Sequence, residues 1–143
     1  MIHPHHTTPL PVALQTQIVE PLRAAFPNAL GIYAFGSQVQ GTAGPHSDWD
    51  LAVLVAGYAD PLALWDAAHA LSRVLHRDVD LLDLRAASSV MQHQILTTGQ
   101  RLWGKDPEAG LFECFALTEK LRFDESRAAL LTDIQTRGSV YGR

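Results

Sequence analysis

The sequence predicts an α/β fold, a small sheet of three or four strands with helices packed on it. Three observations carry that prediction. Short apolar runs at residues 30–35, 51–55 and 79–82 have the length and composition of buried strands. Apolar residues recur every three or four positions at Leu14, Ile18, Leu22 and Phe26, and again at Leu64, Ala68, Leu71 and Leu75, which marks one face of a helix each time. Helical and strand patterns alternate along the chain, as they do when helices are layered on a sheet.

Each element has its own warrant. The first helix is expected over residues 11–26, with Pro21 inside it as a kink or a break. Residues 30–35 form the first strand, which Gly36-Ser37 ends abruptly. One or two helical turns fit residues 37–40, and the stretch 42–47, with Gly44-Pro45, reads as loop. The second strand spans 48–55, and its distal half is apolar on both faces, as in the centre of a covered sheet. Asp60-Pro61 is an N-cap acid followed by proline at the first helical position, so a helix starts there and runs to about Leu75. Arg73, His76 and Arg77 sit near its C-terminus, where positive charge suits the helix dipole. The third strand covers 78–84. Ser88 or Ser89 caps a further helix that stops at Gly99, and residues 100–103 suit a short edge strand. Asp106-Pro107 repeats the cap-plus-proline start, and a long helical segment follows to about Thr136, bent or divided because its pattern is less regular. Residues 1–10 are expected to be a flexible leader, and 11–143 a single domain with its core at about 30–104.

Composition narrows the class. The chain has 143 residues, enough for one hydrophobic core. With 15 Asp+Glu against 11 Lys+Arg and the basic residues scattered, it lacks the basic face of a protein that tracks a nucleic-acid backbone. The single cysteine, Cys114, excludes an internal disulfide and suits a core or helix position in a reducing compartment. The N-terminus carries no signal-peptide pattern and no apolar run is long enough to span a membrane, so a cytoplasmic location is expected. The histidines His3, His5 and His6 are interrupted by Pro4, which argues against a metal site there.

The chemistry is concentrated between Gly36 and Asp50. Gly36 lets the backbone turn sharply and approach a ligand. Ser37 then opens a helical turn, whose N–H groups and dipole favour a phosphate. Ten residues later come Asp48 and Asp50, which point the same way from a strand. Two carboxylates about 5 Å apart repel by roughly 3 kcal/mol at an effective dielectric near 20. A divalent cation removes that cost, and magnesium is typically held by one or two carboxylates together with substrate phosphates. A site with two metals needs a third acid. Asp80 lies inside the apolar third strand, where an unpaired acid is expensive, and is assigned as third ligand and base. Asp78, on the same side, is the alternative, and Asp83 belongs to the strand exit.

The Gly36-Ser37, ten residues, Asp48-x-Asp50 pattern is the signature of the DNA polymerase β-like nucleotidyltransferase superfamily. The stretches "FGSQVQGTAGPHSDWDLAVLV", "VDLLDL" and "ILTTGQRLWG" resemble its minimal nucleotidyltransferases, and among them the antitoxin group that pairs with HEPN-domain toxins. Leu111-Phe112-Glu113 and residues 137–142 resemble that group's C-terminal region more loosely. The resemblance implies the nucleotidyltransferase fold, with a mixed sheet. It also implies transfer of AMP from ATP, with magnesium, two ions in the family's site, onto a tyrosine of a HEPN RNase toxin, which is thereby silenced. By position, Gly36 and Ser37 would bind the phosphates, Asp48 and Asp50 the metals, and Asp80 would complete the triad. Trp49, bulky between the acids, faces away and packs behind the site.

Other residues carry weaker signals. His46 and Arg77 each suit a phosphate contact, with a solvated loop position and a helix C-terminal charge as the simpler accounts. Trp65 and Trp103 are expected in the core or at its rim. Phe112, Phe115 and Phe123 offer either a partner-binding face or a cover for the sheet. Two other functions compete: a small-molecule nucleotidyltransferase of the aminoglycoside-modifying type, and an antitoxin that acts by stoichiometric binding. The first usually needs a further domain to shape the acceptor site. RNA tailing is disfavoured by the short acidic chain.

Overall fold

The computed structural model describes residues 9–137. The elements follow in the order α1 (Val12–Ala25), β1 (Ala29–Phe35), α2 (Ser37–Gln40), β2 (Trp49–Val55), α3 (Pro61–Leu75), β3 (Val79–Asp83), α4 (Ser89–Thr98), β4 (Gln100–Gly104) and α5 (Glu108–Arg137). The sheet has four strands in the order β3-β2-β1-β4. β1 is antiparallel to β2 and β4, and β2 is parallel to β3 with α3 as the connection, so the sheet is mixed.

Alternation along the central strands sorts the core into two layers. Ile32, Ala34, Trp49, Leu51, Val53 and Val55 join Ile18 and Leu22 of α1 and Leu71 of α3. Tyr33, Phe35, Ala52 and Leu54 join Ile95 of α4 and Phe112 and Ala116 of α5. The sheet therefore lies between α1 with α3 and α4 with α5, and β2 is buried on both faces. Trp49 is in the first layer, behind the acids, as its position between them predicts.

Local signals explain most boundaries. Asp60 caps α3 by accepting from the Ala63 N–H, with Pro61 at the helix start. Ser88 caps α4 through the Met91 N–H. Gly99 ends α4 in an extended conformation rather than a left-handed one, so the reason for glycine there is space. A Cβ at Gly99 would lie 2.7 Å from the Ala34 carbonyl oxygen of β1.

Several expectations are corrected. Pro21 neither breaks nor divides α1, because Ile18, Val19 and Leu22 anchor the helix to the core on both sides of it. Asp48 precedes β2 instead of opening it. β3 is shorter than predicted and forms an edge, so Asp80 is exposed, not embedded among apolar side chains. The last segment is one helix of 30 residues, undivided, and Pro107 precedes it. Leu10, at the end of the expected leader, is already in the core. Cys114 lies on α5 but is exposed. Residues 1–8 and 138–143, with three N-terminal histidines and most of the C-terminal resemblance, lie outside the described residues.

Two polar networks lock the layers. The Tyr33 hydroxyl donates to Glu113 Oε2 at 2.7 Å, tying β1 to α5. Arg101 of β4 lies 3.7 Å from the same carboxylate and donates to Asp106. At the far end of β3, Asp83 is only 7 % exposed. Its carboxylate accepts from the Ala59 N–H at 2.8 Å and the Arg85 N–H at 3.0 Å. This buried acid is structural, since it fixes the turn from β2 into α3. Asp83→Ala leaves two backbone donors unpaired and is expected to lower stability by about 1–3 kcal/mol in chemical denaturation.

Candidate functional site

The candidate residues collect at one end of the sheet because of strand direction. β1 arrives there and turns at Gly36, while β2 and β3 both start there. Phe35 pairs with Asp50, and Asp50 pairs with Asp80. Asp50 and Asp80 share a face with Ala52 and Leu82, the face of α4 and α5.

Gly36 is required by conformation and by space. Its φ is +80°, and a Cβ there would lie 2.3 Å from Asp50 Oδ2. The turn thus brings the start of α2 directly against the Asp50 carboxylate. Ser37 is the first residue of α2, and Gly41, at φ 79°, ends that single turn. The loop that follows is folded on itself: Ser47 Oγ accepts from the Gly44 N–H, and Gln38 donates to the Ser47 carbonyl. The Trp49 N–H donates to the Asp78 carbonyl at 2.8 Å, aligning the lead-ins of β2 and β3.

The acids interact. Burial, then the charge of Asp80, then that of Asp48 push the Asp50 carboxyl above its ordinary range. Among the described residues, no three acidic, histidine or cysteine side chains converge into a ready-made metal cage. Magnesium does not need one, because it takes one or two carboxylates and completes its shell with phosphate oxygens and water. Hard oxygen donors with unrelieved repulsion around Asp50 fit such an ion.

The remaining candidates are placed as follows. His46, Arg77 and Asp78 line one pocket of about 440 Å³ together with Asp48, Ser72 and His76. Trp65 is 63 % exposed, so it is not a core residue, and its ring lies tilted at 59° to that of His69 with centroids 4.3 Å apart. It borders a groove of about 430 Å³ whose walls include Leu64, Val79 and Leu81 together with Asp78 and Asp80, so the groove reaches the third acid. Trp103 packs against the core, with Arg23 over its ring. Phe112 covers the sheet, whereas Phe115 is exposed. The role of His76 was not visible in the sequence beyond its charge at the end of a helix. Its signal is conformational, a non-glycine residue at φ 56° that ends α3. No helix among the described residues is long and apolar enough to cross a membrane.

Comparison with known proteins agrees with this geometry. A family profile described as "Polymerase beta, Nucleotidyltransferase" matches residues 17–108. The chain is 38% identical over 120 residues to the protein adenylyltransferase MntA of Shewanella oneidensis, covering 84% of this chain and 86% of that protein. A crystal structure of a toxin-antitoxin with AMP-PNP contains a similar chain, at 38% identity and a TM-score of 0.74, covering 85% of this chain and 98% of that one. A structure of a tri-AMPylated Shewanella oneidensis HEPN toxin in complex with its MNT antitoxin gives a TM-score of 0.69 at 34% identity, covering 87% of this chain and 99% of that one. Profile, relatives and the glycine-to-acid geometry at the sheet end agree that this chain belongs to the polymerase beta nucleotidyltransferase family.

Proposed function

We propose that this protein is an antitoxin that transfers AMP from ATP to a tyrosine of a HEPN-domain RNase toxin and so neutralises it. The observation that carries the reading is the position of Asp50, pressed against Gly36 on one side and paired with Asp80 on the other. A phosphate chain held at Gly36-Ser37 is thereby delivered to the acids. The relatives, an adenylyltransferase and an antitoxin seen with an AMPylated HEPN toxin, support the acceptor class.

In this reading Gly36 and Ser37 receive the triphosphate, and Asp48, Asp50 and Asp80 are the magnesium ligands. Bound magnesium would supply charge neutralisation for the phosphates and for the acids. The tyrosine oxygen attacks the α-phosphorus, the bond to the bridging oxygen of the β-phosphate breaks, and pyrophosphate leaves with that electron pair. The phenol proton passes to Asp80, whose exposure leaves it accessible to an incoming acceptor. Residues 11–143 act as one domain in the cytoplasm, with 30–104 as the catalytic core and α5 as its helical extension.

The test is the intact mass of a HEPN-domain toxin after incubation with this protein, ATP and magnesium. The expected result is a gain of one or more AMP units, lost with Asp48→Ala and lost when magnesium is chelated. An unchanged toxin mass with the unaltered protein contradicts the reading.

A further inference from the structure

The pocket shared by His46, His76 and Arg77 has no part in the scheme above, although Asp48 forms one of its walls. These residues come from two segments, the loop before β2 and the turn between α3 and β3, that meet only in the fold. His76 holds its place through a left-handed backbone and ends α3 by donating its N–H to the Ser72 carbonyl at 2.9 Å. Arg77 donates to the His76 carbonyl at 3.0 Å, so the guanidinium is braced against the turn. The other polar lining groups are the Ser72 hydroxyl and the carboxylates of Asp48 and Asp78. The Arg77 guanidinium, the imidazole N–H groups and the Ser72 hydroxyl are therefore the lining groups able to donate to an anion.

Position along the sheet end decides which anion. Gly36-Ser37 follows β1, Asp48 and Asp50 belong to β2, and the pocket lies toward β3. Displacement at phosphorus is in line, with the attacking and leaving oxygens on opposite sides. If pyrophosphate leaves on the Gly36-Ser37 side, the acceptor enters from the β3 side, where Asp80 also waits.

We propose that His46, His76 and Arg77 form an acceptor-side anion site, which binds a negatively charged group carried by the acceptor protein next to the hydroxyl that is modified. This rests on the reading of the site as an AMP-transfer centre. The anion is either an acidic side chain beside the tyrosine or the phosphate of an AMP already attached to it. Both present oxygens to the same two imidazoles and guanidinium.

His76→Gly and Arg77→Gln test this by steady-state AMP transfer to the HEPN toxin and by direct ATP binding. Glycine suits a left-handed residue, so His76→Gly removes the ring and keeps the helix end, which an unchanged Tm checks. The expected result is that kcat/KM for the toxin falls about tenfold in each variant while the affinity for ATP stays within about twofold. A loss in the first transfer identifies the acidic side chain as the anion. A loss confined to transfer onto toxin that already carries one AMP identifies the attached phosphate. The proposal is overturned if ATP affinity falls in step with transfer, which would make the pocket part of the nucleotide site, or if neither quantity changes. Failure of the unaltered protein to modify the toxin sinks the AMP-transfer reading itself, whereas active protein with indifferent variants sinks only the anion site.

Discussion

Asp50→Asn is expected to lower AMP transfer by about a thousandfold or more while raising stability at neutral pH. The two effects share a cause. Asp50 is partly buried, with Asp80 and Asp48 as like-charged neighbours, and burial and those charges raise its pKa above the ordinary 3.8. A folded-state pKa above the unfolded one means that the folded protein holds this proton more tightly. The corresponding stability is present below about pH 4 and is lost as pH rises through the raised value. At pH 7 the ionised carboxylate is therefore a cost that the neutral amide does not incur. Thermal unfolding at pH 7 should show a higher Tm for Asp50→Asn. The difference should shrink as pH falls, because the unaltered protein then protonates Asp50 itself. A lower Tm at pH 7 would mean that the acid is structural, as Asp83 is.

The second large effect is expected from Gly36→Ala, the smallest side chain that can be added at the turn. A β-carbon has no room beside Asp50 Oδ2, and the positive φ disfavours any L-residue. The backbone at φ 80° and ψ −159° is nearly confined to glycine and alone costs another residue roughly 1–3 kcal/mol. The carboxylate must also shift, and a displacement near 1 Å at reacting groups lowers rates by about a hundredfold. Transfer should fall by that order while the protein remains folded at 25 °C, which far-UV circular dichroism combined with a transfer assay checks. Full activity in Gly36→Ala would show that Asp50 and the turn are not coupled.

Most of the fold was legible because its signals are local. Asp60-Pro61 and Ser88 announce helix starts through side-chain caps, and both cap in the structure. The both-sided apolar run in β2 announced a central strand. The convergence of the candidate residues at one end of the sheet was legible in the same way, since Gly36, Ser37, Asp48 and Asp50 are close in sequence. What was not legible depends on distant partners. Pro21 is tolerated because of packing on the sheet, which no helix rule sees. Asp80 looked buried by its apolar neighbours, but the strand order puts β3 at an edge. Asp83 does end β3, as read, but its burial was not visible, because one of its two backbone donors, Ala59, belongs to the loop between β2 and α3. The Tyr33–Glu113 bond spans 80 positions, and nothing in the sequence pairs those residues. His46 and Arg77 each had a weak signal, and only the fold brought them into one pocket with Asp48.

On the proposed function, neutralisation is catalytic and runs through the acids at the sheet end. The most direct measurement is the RNase activity of the HEPN toxin after treatment with ATP, magnesium and a substoichiometric dose of this protein or of Asp50→Asn. The unaltered protein is expected to silence the toxin at such a dose, and Asp50→Asn to leave RNA cleavage intact. Equal silencing by both proteins, with no gain in toxin mass, would contradict it and point to neutralisation by binding.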